Sequence, residues 1–126
     1  MRKEDPESRV KFEGDSLDEI SSWPKAVKEN VGGDLFRVER REQPLDHKYL
    51  GDQLHELRDQ RQNVWYRLLY WFNEGWIYVL HCFTKKSNKI APSDLDLAKK
   101  RRTAVIARED PPYEAPAKTE GEEKSA

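Results

Sequence analysis

A chain of 126 residues with as much charge (37%) as hydrophobicity (36%) has room for one ordinary domain, and that domain must draw its core from a limited apolar supply. One cysteine, Cys82, excludes an internal disulfide and with it a disulfide-stapled secreted scaffold; the longest near-continuous apolar run, Trp76 to Phe83, falls far short of the roughly 17–25 residues of a membrane helix. Net charge is −1, but residues 1–46 carry −3, residues 47–108 carry +6 and residues 109–126 carry −4, so the middle of the chain is basic and suits a polyanionic partner.

Residues 1–8 (MRKEDPES) are charged, contain a proline and lack an apolar secretory segment, so a flexible lead-in and a soluble, cytoplasmic chain are expected. Arg9 to Glu13 (RVKFE) alternates apolar and charged residues as a short strand does, and Gly14-Asp15 breaks it. Ser16-Leu17-Asp18-Glu19 has capping-box spacing, which predicts a short helix through Ile20 and Trp23. Pro24 can open a second helix, because its missing N–H would be unpaired in a first turn anyway. Ala26, Val27, Val31, Leu35 and Val38 form that helix's predicted buried stripe, and Gln43-Pro44 closes it. Gly32 and Gly33 each cost about 1 kcal/mol relative to alanine in a helix interior, so close packing or a kink is expected there.

Asp46 to Gln53 reads as a connecting loop, and Leu54 to Asp59 as an imperfect strand. Asn63 to Phe72 (NVWYRLLYWF) is rich in β-formers, Asn73-Glu74-Gly75 signals a turn, and Trp76 to Phe83 returns as the next strand of a hairpin. After the lysines, Pro92 and Ser93 introduce a third helix with Leu95, Ala98 and Val105, flanked by Leu97 and Ile106, on its apolar side. Its second half carries Lys99, Lys100, Arg101 and Arg102, cations that suit either a helix C-terminus or a phosphate. Residues 109–126 are rich in Pro, Glu and Lys, a composition expected to stay disordered as an acidic tail. The order is β-α-α-β-β-β-α: an α+β fold, a small antiparallel sheet with two N-terminal helices and one C-terminal helix, over residues 9–108.

Within the first hairpin strand, Trp65, Arg67, Leu69 and Trp71 share one face; Tyr66, Leu68, Tyr70 and Phe72 share the other. Arg67 in mid-strand has two solutions. It pairs with an acid such as Glu56 on the neighbouring strand, or it lies on an open face among tryptophans, the chemistry that holds phosphates and stacks bases. A two-residue hairpin loop sets Cys82 opposite Arg67 and a three-residue loop sets His81 there; His81 is then either a proton carrier or a packed neutral ring. Cys82, inside an apolar strand, reads as an inert thiol. The three histidines, His47, His55 and His81, are dispersed in sequence with no pair at ligand spacing, so no metal site is expected. No Gly-rich phosphate loop, nucleophile elbow or paired-carboxylate signature is present in the sequence.

Three stretches, DHKYLGDQLHELR, WYRLLYWF and YVLHCFTKKSNKIAPSDLDLAKKR, together with the helix pair around SSWPKAVKENVGGDLF, resemble the phage-derived branch of the RelE/HigB-like toxin superfamily from about Val10 to Ile106. The resemblance implies the toxin of a type II toxin–antitoxin module, a metal-independent and cofactor-free endoribonuclease that cuts messenger RNA on the ribosome and is silenced by a cognate helix-turn-helix antitoxin. Carried over by position, it implies that Arg67 and Arg58 clamp the scissile phosphate, that Lys85 completes the charge, and that Lys48 and Lys86 contact flanking backbone. His81 and Tyr66 are the candidates for acid and base. Cys82 departs from the pattern, in which glycine is common at that position. The alternative is a non-catalytic RelE/ParE-like binding protein, or a phage-derived regulator, that blocks a protein partner.

Overall fold

The computed structural model describes residues 8–108. The expectations of a flexible lead-in before residue 8 and of a disordered tail after residue 108 lie outside the described residues. Within them the elements run β1 (Val10–Phe12), α1 (Ser16–Ser21), α2 (Lys25–Glu39), β2 (His47–Gly51), β3 (Leu54–Arg61), β4 (Val64–Asn73), β5 (Trp76–Lys85) and α3 (Pro92–Arg108). The five strands form one sheet in the order β1-β5-β4-β3-β2, with β1 parallel to β5 and every other neighbour antiparallel. The fold is α+β, with one strand more than the sequence reading placed. His47 to Gly51 is not a loop but an edge strand paired with β3. Its hairpin turns through positive φ at Gly51, Asp52 and Gln53, of which only the glycine announces itself in sequence.

Helices cover both faces of the sheet and divide the core in two. Trp23 and the α2 residues Val27, Val31, Leu35 and Val38 pack onto Leu57, Leu68, Tyr70, Ile77, Val79 and Cys82. Behind the sheet, Ala98 and Val105 of α3 pack onto Leu54, Leu69, Trp71, Tyr78, Leu80 and Phe83. The predicted α2 stripe is therefore correct except for Ala26, which is exposed; buried Asp34 takes a place on that side. Asp34 accepts backbone N–H bonds from Leu45 and Asp46 and an ion pair from Arg37, fixing the chain where it leaves α2. Neither close packing nor a kink explains Gly32 and Gly33: a Cβ on Gly32 would face open space, one on Gly33 would only touch Arg37 Nη1 at 3.6 Å, and α2 runs unbroken through both.

The capping box at Ser16 does not form. Its hydroxyl, fully buried, instead donates to the carbonyls of Glu13 (2.7 Å) and Val79 (3.2 Å), tying the start of α1 to β5. Asp15 occupies the N-cap without a side-chain capping bond to the helix.

Register in the β4–β5 hairpin follows neither sequence expectation. The loop has two residues, with Asn73 opposite Trp76, but Leu80 is an extra residue on β5. Leu69 faces His81 while Tyr70 faces Val79, so Phe83 stands opposite Arg67. A β-bulge re-aims every side chain beyond it. Here it turns His81, Phe83 and Lys85 onto the face that carries Arg67, and sends Cys82 to the α2 side.

Candidate nucleic-acid interface

Directly opposed residues of an antiparallel pair project to the same side. Arg58 is opposite Arg67, Lys48 is opposite Glu56, and Trp65 is opposite Lys85. Lys48, Glu56, Arg58, Trp65, Arg67, His81 and Lys85 therefore share the α3 face of the sheet. Tyr66 does not: it lies on the α2 side against Trp23, ring centroids 5.4 Å apart.

The two arginines are built differently. Arg67 is 1% exposed and pairs through Nη1 with Glu56, itself fully buried. Its Nη2 donates to the carbonyls of Ser87 (3.2 Å) and Asn88 (2.5 Å) in the segment after β5. The guanidinium also lies over Trp65, 5.0 Å from the ring centroid. The open-face reading of Arg67 is thus corrected in favour of the Glu56 pairing, because a charge at that depth must be neutralised. Arg58 lies over the same ring at 5.5 Å, but it keeps about a quarter of its side chain in solvent and pairs with half-exposed Asp46 at 3.0 Å.

His81 is buried, stacked on Phe83 at 4.5 Å, with Nε2 2.9 Å from Asp94 Oδ1. Lys85 reaches the other oxygen of Asp94 at 3.1 Å and keeps about a third of its side chain exposed. Asp94, in the first turn of α3, joins the strand end to the helix. Lys48 and Lys86 are exposed. Arg67 Nε, Glu56 Oε1 and His81 Nδ1 are buried with no hydrogen-bond partner among the described residues. Of the seven residues predicted for the site, Lys48, Arg58, Lys85 and Lys86 reach solvent, Arg67 and His81 are sealed beneath them, and Tyr66 is on the other side. Trp65 and Asp94 were the omissions; the alternation of β4 marks Trp65, whereas nothing local marks Asp94.

The basic run on α3 has mostly structural partners. Arg101 donates to the Leu80 carbonyl (2.9 Å) and Asp15 (3.0 Å), and Arg102 to Asp52 (2.9 Å) with Lys99 nearby at 3.7 Å. The Arg102 hydrogen bond and charge, helped by Lys99, hold the Asp52 carboxyl below its ordinary value. Burial drives the Cys82 thiol well above its usual range, as expected for an inert core cysteine.

On the α2 side the β2–β3 hairpin gathers a second group absent from the sequence reading. His47 Nε2 lies 3.1 Å from His55 Nδ1, and His55 stacks on Tyr70 with centroids 5.1 Å apart and planes 19° apart. Burial, then the neighbouring His47, lowers the His55 pKa. The absence of a close histidine pair inferred from spacing is therefore corrected. No group of three or more His, Cys, Asp or Glu side chains suited to a metal occurs among the described residues, and no helix among them is long and apolar enough to cross a membrane.

The domain is a small α+β fold with cations and a tryptophan on one face of its sheet. Residues 18–103 match the family model described as phage derived protein Gp49-like (DUF891), and the chain belongs to that family. No curated protein and no solved structure matches the chain.

Proposed function

We propose that the chain is the toxin of a type II toxin–antitoxin module, and that it acts in the cytoplasm on messenger RNA as a metal-independent endoribonuclease that arrests translation. The Gp49-like family is associated with toxin–antitoxin toxins, which supports the first part. The observation that carries the second is Arg58 lying over Trp65, with Lys48 and Lys85 on the same face of the sheet and exposed Lys86 next in the chain after Lys85. A guanidinium and ammonium groups bind successive phosphates, and an indole offers a stacking surface for a base. Asp46 is no barrier, since a half-exposed ion pair is worth only about 0–1 kcal/mol and a phosphate can take its place.

In this reading the ribose 2′-hydroxyl attacks the adjacent phosphorus and the P–O5′ bond breaks, leaving a 2′,3′-cyclic phosphate and a 5′-hydroxyl. Charge gathering on the non-bridging oxygens is stabilised by Arg58 and Lys85. The 2′-hydroxyl proton must be taken up and one returned to the 5′-oxygen; the Lys85–Asp94–His81 group is the titratable cluster nearest this end of the sheet. Arg67 is a positioning residue: it fixes Ser87 and Asn88, and so the segment that presents Lys86. A helix-turn-helix antitoxin would neutralise the protein by covering the same face.

Burial of Arg67 and His81 favours a second reading, a binding protein that blocks a partner without cutting RNA. Induced expression in bacteria with mapping of transcript 5′ ends separates the two. Growth arrest with new 5′-hydroxyl ends supports the nuclease, arrest with intact transcripts supports the blocker, and unaffected growth overturns both.

A further inference from the structure

We propose that His47 and His55 form a two-imidazole site for a divalent transition metal, independent of the RNA face. His55 and Glu56 are consecutive on β3 and project to opposite sides, so this site lies behind the sheet from Arg58 and Arg67. Two metal–nitrogen bonds of about 2.0–2.1 Å that end on nitrogens 3.1 Å apart enclose an angle of roughly 95–100°, between the octahedral and tetrahedral values. The facing atoms are Nε2 of one ring and Nδ1 of the other, so a tilt of the rings away from the N···N line brings both lone pairs to one point.

The scaffold holds that geometry. His47 and His55 are on paired strands of one hairpin, where Tyr49 stands opposite His55. His55 is further held by the Tyr70 ring beneath it and by Tyr49, whose centroid is 5.1 Å away. Tyr49 is itself fixed, its hydroxyl accepting the Gln53 N–H at 2.9 Å. Both imidazoles line an open cleft with Arg41, Glu42 and Gln43, so water can fill the remaining coordination positions.

Without metal, one ring donates its N–H to the other. On binding, that proton moves through solvent to the second nitrogen of its own ring, both facing lone pairs go to the metal, and no electron is transferred. Imidazole nitrogen selects copper, nickel and zinc over the hard, oxygen-seeking magnesium and calcium, with Cu²⁺ tightest.

The test is titration of the tag-free, chelator-treated full chain with CuCl₂, ZnCl₂ and MgCl₂, followed by thermal melting and, for copper, electron paramagnetic resonance. The expected result is one Cu²⁺ or Zn²⁺ per chain with a raised Tm, no response to Mg²⁺, and coupling to two imidazole nitrogens in the copper spectrum. His47→Gln and His55→Gln should each abolish the Tm shift, while Cys82→Ala keeps it. Absence of uptake by the wild-type chain, an equal response to Mg²⁺, or a copper spectrum without two nitrogen couplings overturns the proposal. The spectrum needs no variant, so a poorly folded substitution cannot obscure the answer.

Discussion

Arg58 and Arg67 stand directly opposite one another on β3 and β4, on one face and over one tryptophan, yet only Arg67 is sealed from water. What separates them is the acid each meets: fully buried Glu56 for Arg67, half-exposed Asp46 for Arg58. Stability and binding should divide accordingly. Arg67→Ala leaves Glu56 charged in the interior and is predicted to cost about 3–5 kcal/mol, whereas Arg58→Ala should cost about 0–1 kcal/mol. Urea unfolding of both variants checks this. Replacing Arg67 and Glu56 together by Met and Leu should recover most of the loss, and equal costs for the two single variants would contradict the assignment.

Gly14 has φ +57°, and a Cβ there would lie 2.3 Å from the Arg101 guanidinium carbon. Gly14→Ala therefore strains the backbone by roughly 1–2 kcal/mol and displaces the arginine that bonds Leu80 and Asp15. The expected outcome is a loss of at least that size in the urea midpoint analysis. Wild-type stability would show that Arg101 ties nothing down.

Cys82 should resist alkylation in the folded chain, since it is buried and its thiolate is disfavoured. Iodoacetamide labelling followed by mass spectrometry should give no adduct at neutral pH and rapid labelling in urea. Fast native labelling would place the thiol at the surface.

Asp52 supplies a pH test. Its folded pKa lies below the unfolded value of 3.8, so its contribution is present above pH 3.8 and lost as pH falls through the lower folded value. Asp52→Asn should thus be less stable than wild type at pH 7, with the difference shrinking as the pH falls below 3.8. Because the pair is at the surface, 1 M salt should also narrow the difference. A gap that does not narrow as the pH falls would point to backbone geometry, because Asp52 has φ +52°.

Much of this fold is legible in the sequence because its signals are local. The turn Asn73-Glu74-Gly75 between two β-rich runs announces the central hairpin, and the spacing of Val27, Val31, Leu35 and Val38 announces the buried side of α2. Strand β2 is hidden because HKYLG, short and half polar, gains its stability from pairing with β3. The extra residue at Leu80 leaves no mark either, since a bulge depends on how two strands meet; the side on which His81 and Lys85 emerge was therefore open. Glu56 could be named as a partner for Arg67, but alternation alone cannot say which arginine of an opposed pair is covered. The His47–His55 contact was missed for the same reason as β2: His47 in a supposed loop and His55 in the strand after it become neighbours once the hairpin closes.

The central claim is that Lys48, Arg58 and Lys86 hold an RNA backbone. Single-stranded RNA affinity measured across a salt series tests it most directly. Each contact to single-stranded phosphate contributes about 0.7 to the slope of log affinity against log salt. Lys48→Ala, Arg58→Ala and Lys86→Ala combined should lower that slope by about 2 and weaken binding while the chain stays folded. An unchanged slope and affinity in the folded triple variant would contradict the account.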